Sequence, residues 1–331
     1  MKKHLAVVAL VLLSAVARSA TAPAATPKYV DPTQVDADFA IQGEYAGNLS
    51  VDGDTMQLGI QVVALGKGRF LGVAYEGGLP GAGWTKDKPA RAEAQLKDGV
   101  VKFVAENGIG LLQNGKLTVQ NPDGKKLGVL PRVARKSPTE GQKPPAGAVV
   151  LFDGTPPSLE NWRGGRMTDD GLLMQGTTSK RTFRDHKLHC EFRLAYQPED
   201  RGQGRSNSGL YVQGRYEIQI LDSFGLEGKQ NESGGIYSVK DPDVNMCFPP
   251  LVWQTYDIDF TAAKYDASGQ RTANPRITVR HNGIVVHKDV ELPGDRNTTA
   301  APVKAGSEPG PIYLQDHGCP VRYRNIWVEE R

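Results

Sequence analysis

Cysteine is scarce: the 331 residues contain three, Cys190, Cys247 and Cys319. An odd, widely spaced set builds no disulfide framework even in an oxidising compartment; it allows one bridge at most and matches no zinc-ligand spacing. Long apolar runs are equally rare. The single candidate, Leu5 to Val16, spans about a dozen residues, short of the roughly 20 that a membrane-spanning helix needs. Charge of one sign is missing too, because 40 Lys and Arg are interleaved with 37 Asp and Glu for a net charge of +3. No basic stripe is available to follow a phosphate backbone, so a nucleic-acid partner is not expected. No glycine-rich loop follows a strand and opens a helix, which removes a nucleotide cofactor.

What is present begins with a leader. Met1-Lys2-Lys3-His4, the apolar run, and the small and polar residues Ala17 to Ala22 have the order of a secretory signal peptide, expected over residues 1–22 and removed on export. A membrane anchor is the competing reading, but no cysteine near the cleavage region could carry a lipid. The expected location is therefore periplasmic or secreted, with no membrane span. Residues 23–35, rich in Ala, Pro and Thr, read as a flexible lead-in. Residues 136–147, Lys136-Ser-Pro-Thr-Glu-Gly-Gln-Lys-Pro-Pro-Ala-Gly147, have the composition of an interdomain linker. They divide a small domain at 36–135 from a larger one at 148–331.

Both domains read as all-β. In the first, alternation over Met56 to Leu65 leads through Gly66-Lys67-Gly68 into Arg69 to Tyr75, and the same rhythm recurs around Lys97-Asp98-Gly99 and Asn114-Gly115. A small antiparallel β accessory domain is expected. Its Gly77 to Trp84 loop either carries an aromatic lip or places Trp84 as a plug in the core. In the second domain, short alternating segments at Leu188 to Leu194, Gly209 to Gln213, Tyr216 to Leu221, Thr255 to Phe260, Arg276 to His281, Ile284 to Val290, Ile312 to Gln315 and Val321 to Val328 argue for a sandwich or jelly roll. Asn282-Gly283 marks a tight type I′ hairpin between two of them.

Several segments of the second domain, in order, carry a family resemblance. Val150-Leu-Phe-Asp-Gly154, Ser206-Asn-Ser-Gly-Leu-Tyr-Val212, Arg215-Tyr-Glu-Ile-Gln-Ile-Leu-Asp222, Gly235-Ile-Tyr237, Trp253-Gln-Thr-Tyr256, His281-Asn-Gly283, Leu314-Gln-Asp-His-Gly318 and Tyr323-Arg-Asn-Ile326 together resemble the 3-keto-disaccharide hydrolase domain. Each motif is weak alone; their shared order is what counts. The resemblance implies a concanavalin A-like two-sheet jelly roll with a sugar cleft on its concave face. It also implies action on glycosides already oxidised to a ketone at C3. That ketone acidifies the C2 proton, so a base can form an enolate that expels the C1 substituent, after which water adds. A separate sugar 3-dehydrogenase would have to supply the oxidised sugar.

Such chemistry needs a base near C2, an electrophile near the C3 oxygen and an acid for the leaving group. Alternation along Tyr216 to Leu221 puts Tyr216, Ile218 and Ile220 on one face and Glu217 and Gln219 on the other. If the apolar set is core, the polar pair enters the cleft; otherwise it is an ordinary solvent-facing pair. With the resemblance, Glu217, His317 and Asp222 are the candidate catalytic residues. Asn207, Ser208, Tyr211, Gln219, Trp253, Gln315 and Arg324 are the candidate sugar-binding residues. Asp222 could instead cap a turn, Tyr211 and Trp253 could fill core, and Arg324 could be a strand-surface arginine. No cofactor is certain; a divalent cation held by Glu217, Asp222 and His317 stays open, although no paired-histidine metal motif occurs. Two other functions compete. One is a conventional glycosidase using two carboxylates; the other is a non-catalytic, lectin-like carbohydrate-binding protein.

Overall fold

The computed structural model describes residues 26–331. The segment expected to be a signal peptide and the start of the lead-in lie outside the described residues. Eight strands, β1 (Gly43–Val51), β2 (Asp54–Gly66), β3 (Arg69–Glu76), β4 (Ala90–Lys97), β5 (Val100–Ala105), β6 (Gly108–Gln113), β7 (Lys116–Gln120) and β8 (Lys126–Val133), form a closed antiparallel barrel in sequential order. Closure pairs every strand on both sides, although β4 and β5 pair only at Leu96↔Val101 and Lys97↔Val100. The connections are short because residues tolerant of left-handed backbone sit in them: Lys67-Gly68, Asp98-Gly99 and Asn114-Gly115 all have positive φ. Ile60, Val62 and Ala64 of β2 point into the barrel, while Val63 and Leu65 point out and join the core of the second domain.

The rest of the chain is a two-sheet sandwich. One sheet has five strands, in the order Trp162–Arg163, Thr177–Phe183, Gly310–Leu314, Ser208–Val212, Tyr216–Ile220. The other has seven: Leu173–Met174, Arg322–Glu330, His186–Arg193, Trp253–Thr261, Arg276–His281 and Ile284–Glu291, with Val149–Phe152 added beside Arg322–Glu330. Between them lie Leu210, Ile218, Ile220, Ile312 and Leu314 from the first sheet and Leu188, Phe192, Tyr256, Phe260 and Tyr323 from the second. Burying each such side chain contributes roughly 1.5–3 kcal/mol. Asn282 and Gly283 form the expected hairpin, with φ of 50° and 80°.

Two local features differ from the sequence reading. Trp84 does not plug a core; its ring packs edge-on against Tyr75 at 5.3 Å and its indole N–H donates to the Asp87 carbonyl. The segment expected as a linker is a docked strap across the outer face of the seven-stranded sheet. Ser137 meets Thr255 at 2.6 Å, Thr139 donates to Asp257 at 2.7 Å, and the Gln142 carbonyl accepts from Asn325 at 2.9 Å. All three cysteines are buried and unbridged. Among the described residues, no helix is long and apolar enough to cross a membrane.

Candidate active site

The outward face of the five-stranded sheet gathers polar side chains because its strands alternate. Ile218 and Ile220 point into the sandwich, so Glu217 and Gln219 point away from it; Leu210 inward leaves Tyr211 outward, and Leu314 inward leaves Tyr313 and Gln315 outward. Strand pairing sets Tyr211 opposite both Glu217 and Tyr313. The Tyr211 hydroxyl donates to Glu217 Oε2 at 2.7 Å and accepts from Gln315 Nε2 at 3.1 Å. The Glu217 carboxylate lies over Gly209, where a methyl group built on the glycine would collide with it. Gly209 is therefore required by close approach rather than by its backbone angles.

Glu217 is 3 % exposed. Burial pushes its pKa up to about 7, against the opposing pull of the Tyr211 hydrogen bond. No charged neighbour adds to or offsets that shift. A carboxylate with this pKa exchanges its proton at neutral pH, the property a general base or acid needs. Tyr211 is driven far above the ordinary phenol value by burial first and by the Glu217 charge second. It is a fixed hydrogen-bond donor rather than a second titrating group.

Amides extend the site from Gln219. Its Nε2 donates to Gln203 Oε1 at 3.1 Å and to the Asn231 carbonyl at 3.3 Å, and Asn207 Nδ2 donates to the same Gln203 oxygen at 3.1 Å. Asn207 Oδ1 is buried without a partner. The segment around Thr298 packs beside the site: the Thr298 hydroxyl accepts from the Glu217 backbone N–H at 2.9 Å, the Thr299 carbonyl lies 3.3 Å from the Tyr211 hydroxyl, and Thr299 meets Ser238 at 3.2 Å. Gln203, Asn231 and Thr298 are site residues that sequence reasoning missed. Gln203 falls inside the Gly- and Arg-rich stretch Arg201 to Gly209, but nothing there separates it from an ordinary turn residue. Thr298 enters from a loop with no motif.

The other sequence candidates go elsewhere. Ser208 faces inward, hydrogen-bonding the Gln315 carbonyl and the Tyr323 hydroxyl, both at 2.6 Å. Asp222 is a buried ion-pair partner: Arg205 Nε donates to it at 2.5 Å while Arg205 Nη1 reaches the Ala64 carbonyl of the barrel at 3.2 Å. His317 is exposed in the turn beyond the strand that ends at Leu314, because the alternation that would have set it on the face of Tyr313 and Gln315 stops three residues earlier. Trp253 and Arg324 belong to the seven-stranded sheet, not to the cleft. Arg324 stacks on Trp253, its Cζ 3.9 Å from the ring centre, and pairs with Glu191 at 2.7 Å and Glu140 at 2.9 Å. Glu217, Asp222 and His317 do not converge; among the described residues no three His, Cys, Asp or Glu side chains are placed to hold a metal ion.

A two-sheet sandwich with a buried carboxylate set among amide and phenol side chains is suited to sugar chemistry, and the matching family makes the protein a carbohydrate-active enzyme. The chain belongs to the 3-keto-alpha-glucoside-1,2-lyase-like domain family, whose model matches residues 147–329, more than half of its length. Solved structures of three Parabacteroides distasonis ATCC 8503 proteins described as candidate glycosyl hydrolases are similar to it. One is 30 % identical, with 56 % of this chain and 84 % of that chain covered and a TM-score of 0.49. The second is 16 % identical over 60 % and 98 % of the two chains, with a TM-score of 0.41. The third is 20 % identical over 56 % and 99 %, with a TM-score of 0.39. No curated protein matches the chain.

Proposed function

We propose that this protein cleaves the glycosidic bond of 3-keto-glycosides by elimination, with Glu217 as the base. The family's name supplies the substrate class, and the raised pKa of Glu217 carries the mechanism. Ionised Glu217 takes the C2 proton, which the adjacent C3 ketone acidifies. The C2–H electron pair becomes the C1=C2 double bond as the C1–O bond breaks and the leaving oxygen is protonated. Water adding across the resulting enone completes a net hydrolysis. The amide groups of Gln219, Asn207 and Gln315 are suited to hold sugar hydroxyls and the C3 oxygen, where hydrogen-bond donors stabilise developing negative charge. Because Glu217 is only 3 % exposed, substrate entry requires local opening around it.

The rival two-carboxylate mechanism needs a second carboxyl group about 5–9.5 Å from the first. No other carboxylate acts on Glu217 strongly enough to move its pKa, which favours a single-base elimination. Export to the periplasm or beyond, supply of substrate by a separate sugar 3-dehydrogenase, and a rim role for the exposed His317 complete the reading.

The test is to incubate the mature protein with a 3-keto-glucoside and with its unoxidised parent, following aglycone release with and without EDTA. Release from the keto sugar alone is expected, with Glu217→Gln lowering kcat by about 10²–10⁴-fold. Equal cleavage of the parent sugar would replace elimination by conventional hydrolysis. Binding without turnover would make the protein a lectin.

A further inference from the structure

The barrel is filled at one end and hollow at the other. At the filled end Tyr45, Val62, Phe70 and Leu130 are wholly buried, and Tyr196 from the sandwich packs with them. Towards the other end the inward positions become small: Gly72 and Ala74 on β3, Ala90 and Ala92 on β4, Gly110 on β6. With Leu58, Ile60, Phe103 and Leu117 as walls, they enclose a cavity of about 270 Å³. Gly72 helps to keep it open, since a Cβ there would lie 3.0 Å from the Phe103 ring and push it inward.

This space has an entrance. β4 and β5 are paired only at Leu96↔Val101 and Lys97↔Val100, so the wall parts beyond them. Lys88, Glu76 and Asn107 lie at the exposed rim. The third basic or acidic neighbour, Arg91, is already committed to the Gly225 carbonyl at 2.9 Å. Lys88 has no ion-pair partner among the described residues.

Eight-stranded barrels are just wide enough to fill with side chains or to hold one small ligand. A 150 Å³ apolar cavity accepts benzene, so the space here suits a body of roughly ten carbons. We propose that the barrel is a calyx for a small amphiphile, a medium-chain carboxylate whose chain occupies the cavity and whose head group meets Lys88. The site is independent of the Glu217 chemistry.

The wild-type mature protein, which lacks Met1 with the expected leader, tests this directly when labelled at its methionine methyl groups. Met56 lines the cavity, whereas Met167 and Met246 pack on the sandwich core and Met174 lies in a sandwich strand. Titration with decanoate should shift the Met56 methyl signal saturably and leave the other three in place. Lys88→Glu should weaken decanoate at least fivefold and leave decanol unchanged, and Ala92→Phe should abolish binding of both. A silent Met56, or a uniform shift of all four signals, would overturn the calyx. Equal loss of decanoate and decanol in Lys88→Glu would overturn the role given to the head group. If Ala92→Phe fails to fold, the wild-type titration and Lys88→Glu decide. None of these readouts involves turnover, so failure here leaves the keto-glycoside reading untouched, and the reverse.

Discussion

Two buried glutamates sit on opposite outer faces of the same sandwich and titrate in opposite directions. Glu191, on the seven-stranded sheet, is wholly buried, yet its pKa falls to about 2. Burial works to raise it, but hydrogen bonds from His189, Asn325, the Gly141 N–H and Arg324 outweigh burial. Glu217, on the five-stranded sheet, has one hydrogen bond from a neutral phenol and no cation, and burial wins. The lesson is that burial alone does not set a carboxylate's role. A carboxylate surrounded by donors and a guanidinium is a structural anchor, here for the strap at residues 136–147. One denied a counter-charge is held ready to exchange a proton.

The contrast breaks most sharply under Glu217→Gln, which should lower kcat by about 10²–10⁴-fold while stabilising the fold at alkaline pH. A group whose folded pKa is raised contributes stability that is present below its unfolded value and lost as pH rises through the folded value. For Glu217 that window runs from about 4.5 to about 7. Thermal melts at pH 8 should therefore show the variant more stable than wild type by on the order of 3 kcal/mol, with no gain at pH 4. A variant that is inactive but no more stable at pH 8 would mean that the wild-type carboxylate is not strained by burial.

Glu191→Ala should do the reverse. It leaves Arg324 and His189 without their shared partner and should cost about 3–5 kcal/mol of unfolding free energy. The folded fraction should keep its kcat. Acid titration of the wild type complements this: Glu191 has a depressed pKa, so its contribution is full above pH 4.5 and lost as pH falls towards 2. Melting curves between those limits should flatten in Glu191→Ala.

Gly209→Ala is a subtler probe, since the added methyl displaces the Glu217 carboxylate without touching its chemistry. A displacement near 1 Å should lower kcat by about 10²-fold, and unchanged kinetics would show that the glycine is not what seats the carboxylate. The smallest effect is expected from Tyr211→Phe. The phenol's hydrogen bond holds Glu217 down, so its removal should move the acidic, rising limb of the kcat/KM profile to higher pH, with a loss of roughly 10-fold at pH 7. A downward move would mean that Tyr211 stabilises the protonated acid instead.

Much of this was legible in the chain. Turn pairs such as Asn282-Gly283 and Asp98-Gly99 fixed hairpins, and period-two alternation separated Glu217 and Gln219 from Tyr216, Ile218 and Ile220. The same rule set Arg324 apart from Tyr323, and Arg324 also faces outward; Trp253, for which the sequence leaves open a sugar platform or core, does so too. Alternation, however, says only that a side chain leaves the core, not from which of two sheets. Arg324 and Trp253 leave from the sheet opposite Glu217. Asp222 and His317 lie past the ends of their strands, where alternation no longer applies.

The sequence by itself determined that the chain is all-β, where its strands turn, and which residues on each strand avoid the core, because these follow from local backbone preference and side-chain period. Only the tertiary structure decided that the barrel encloses a cavity, that the proline-rich segment is a strap, and that Glu191 meets a guanidinium while Glu217 does not. Those outcomes depend on partners more than a hundred residues apart, such as Arg324 and Glu191, and a carboxylate's proton affinity is set by what surrounds it in space.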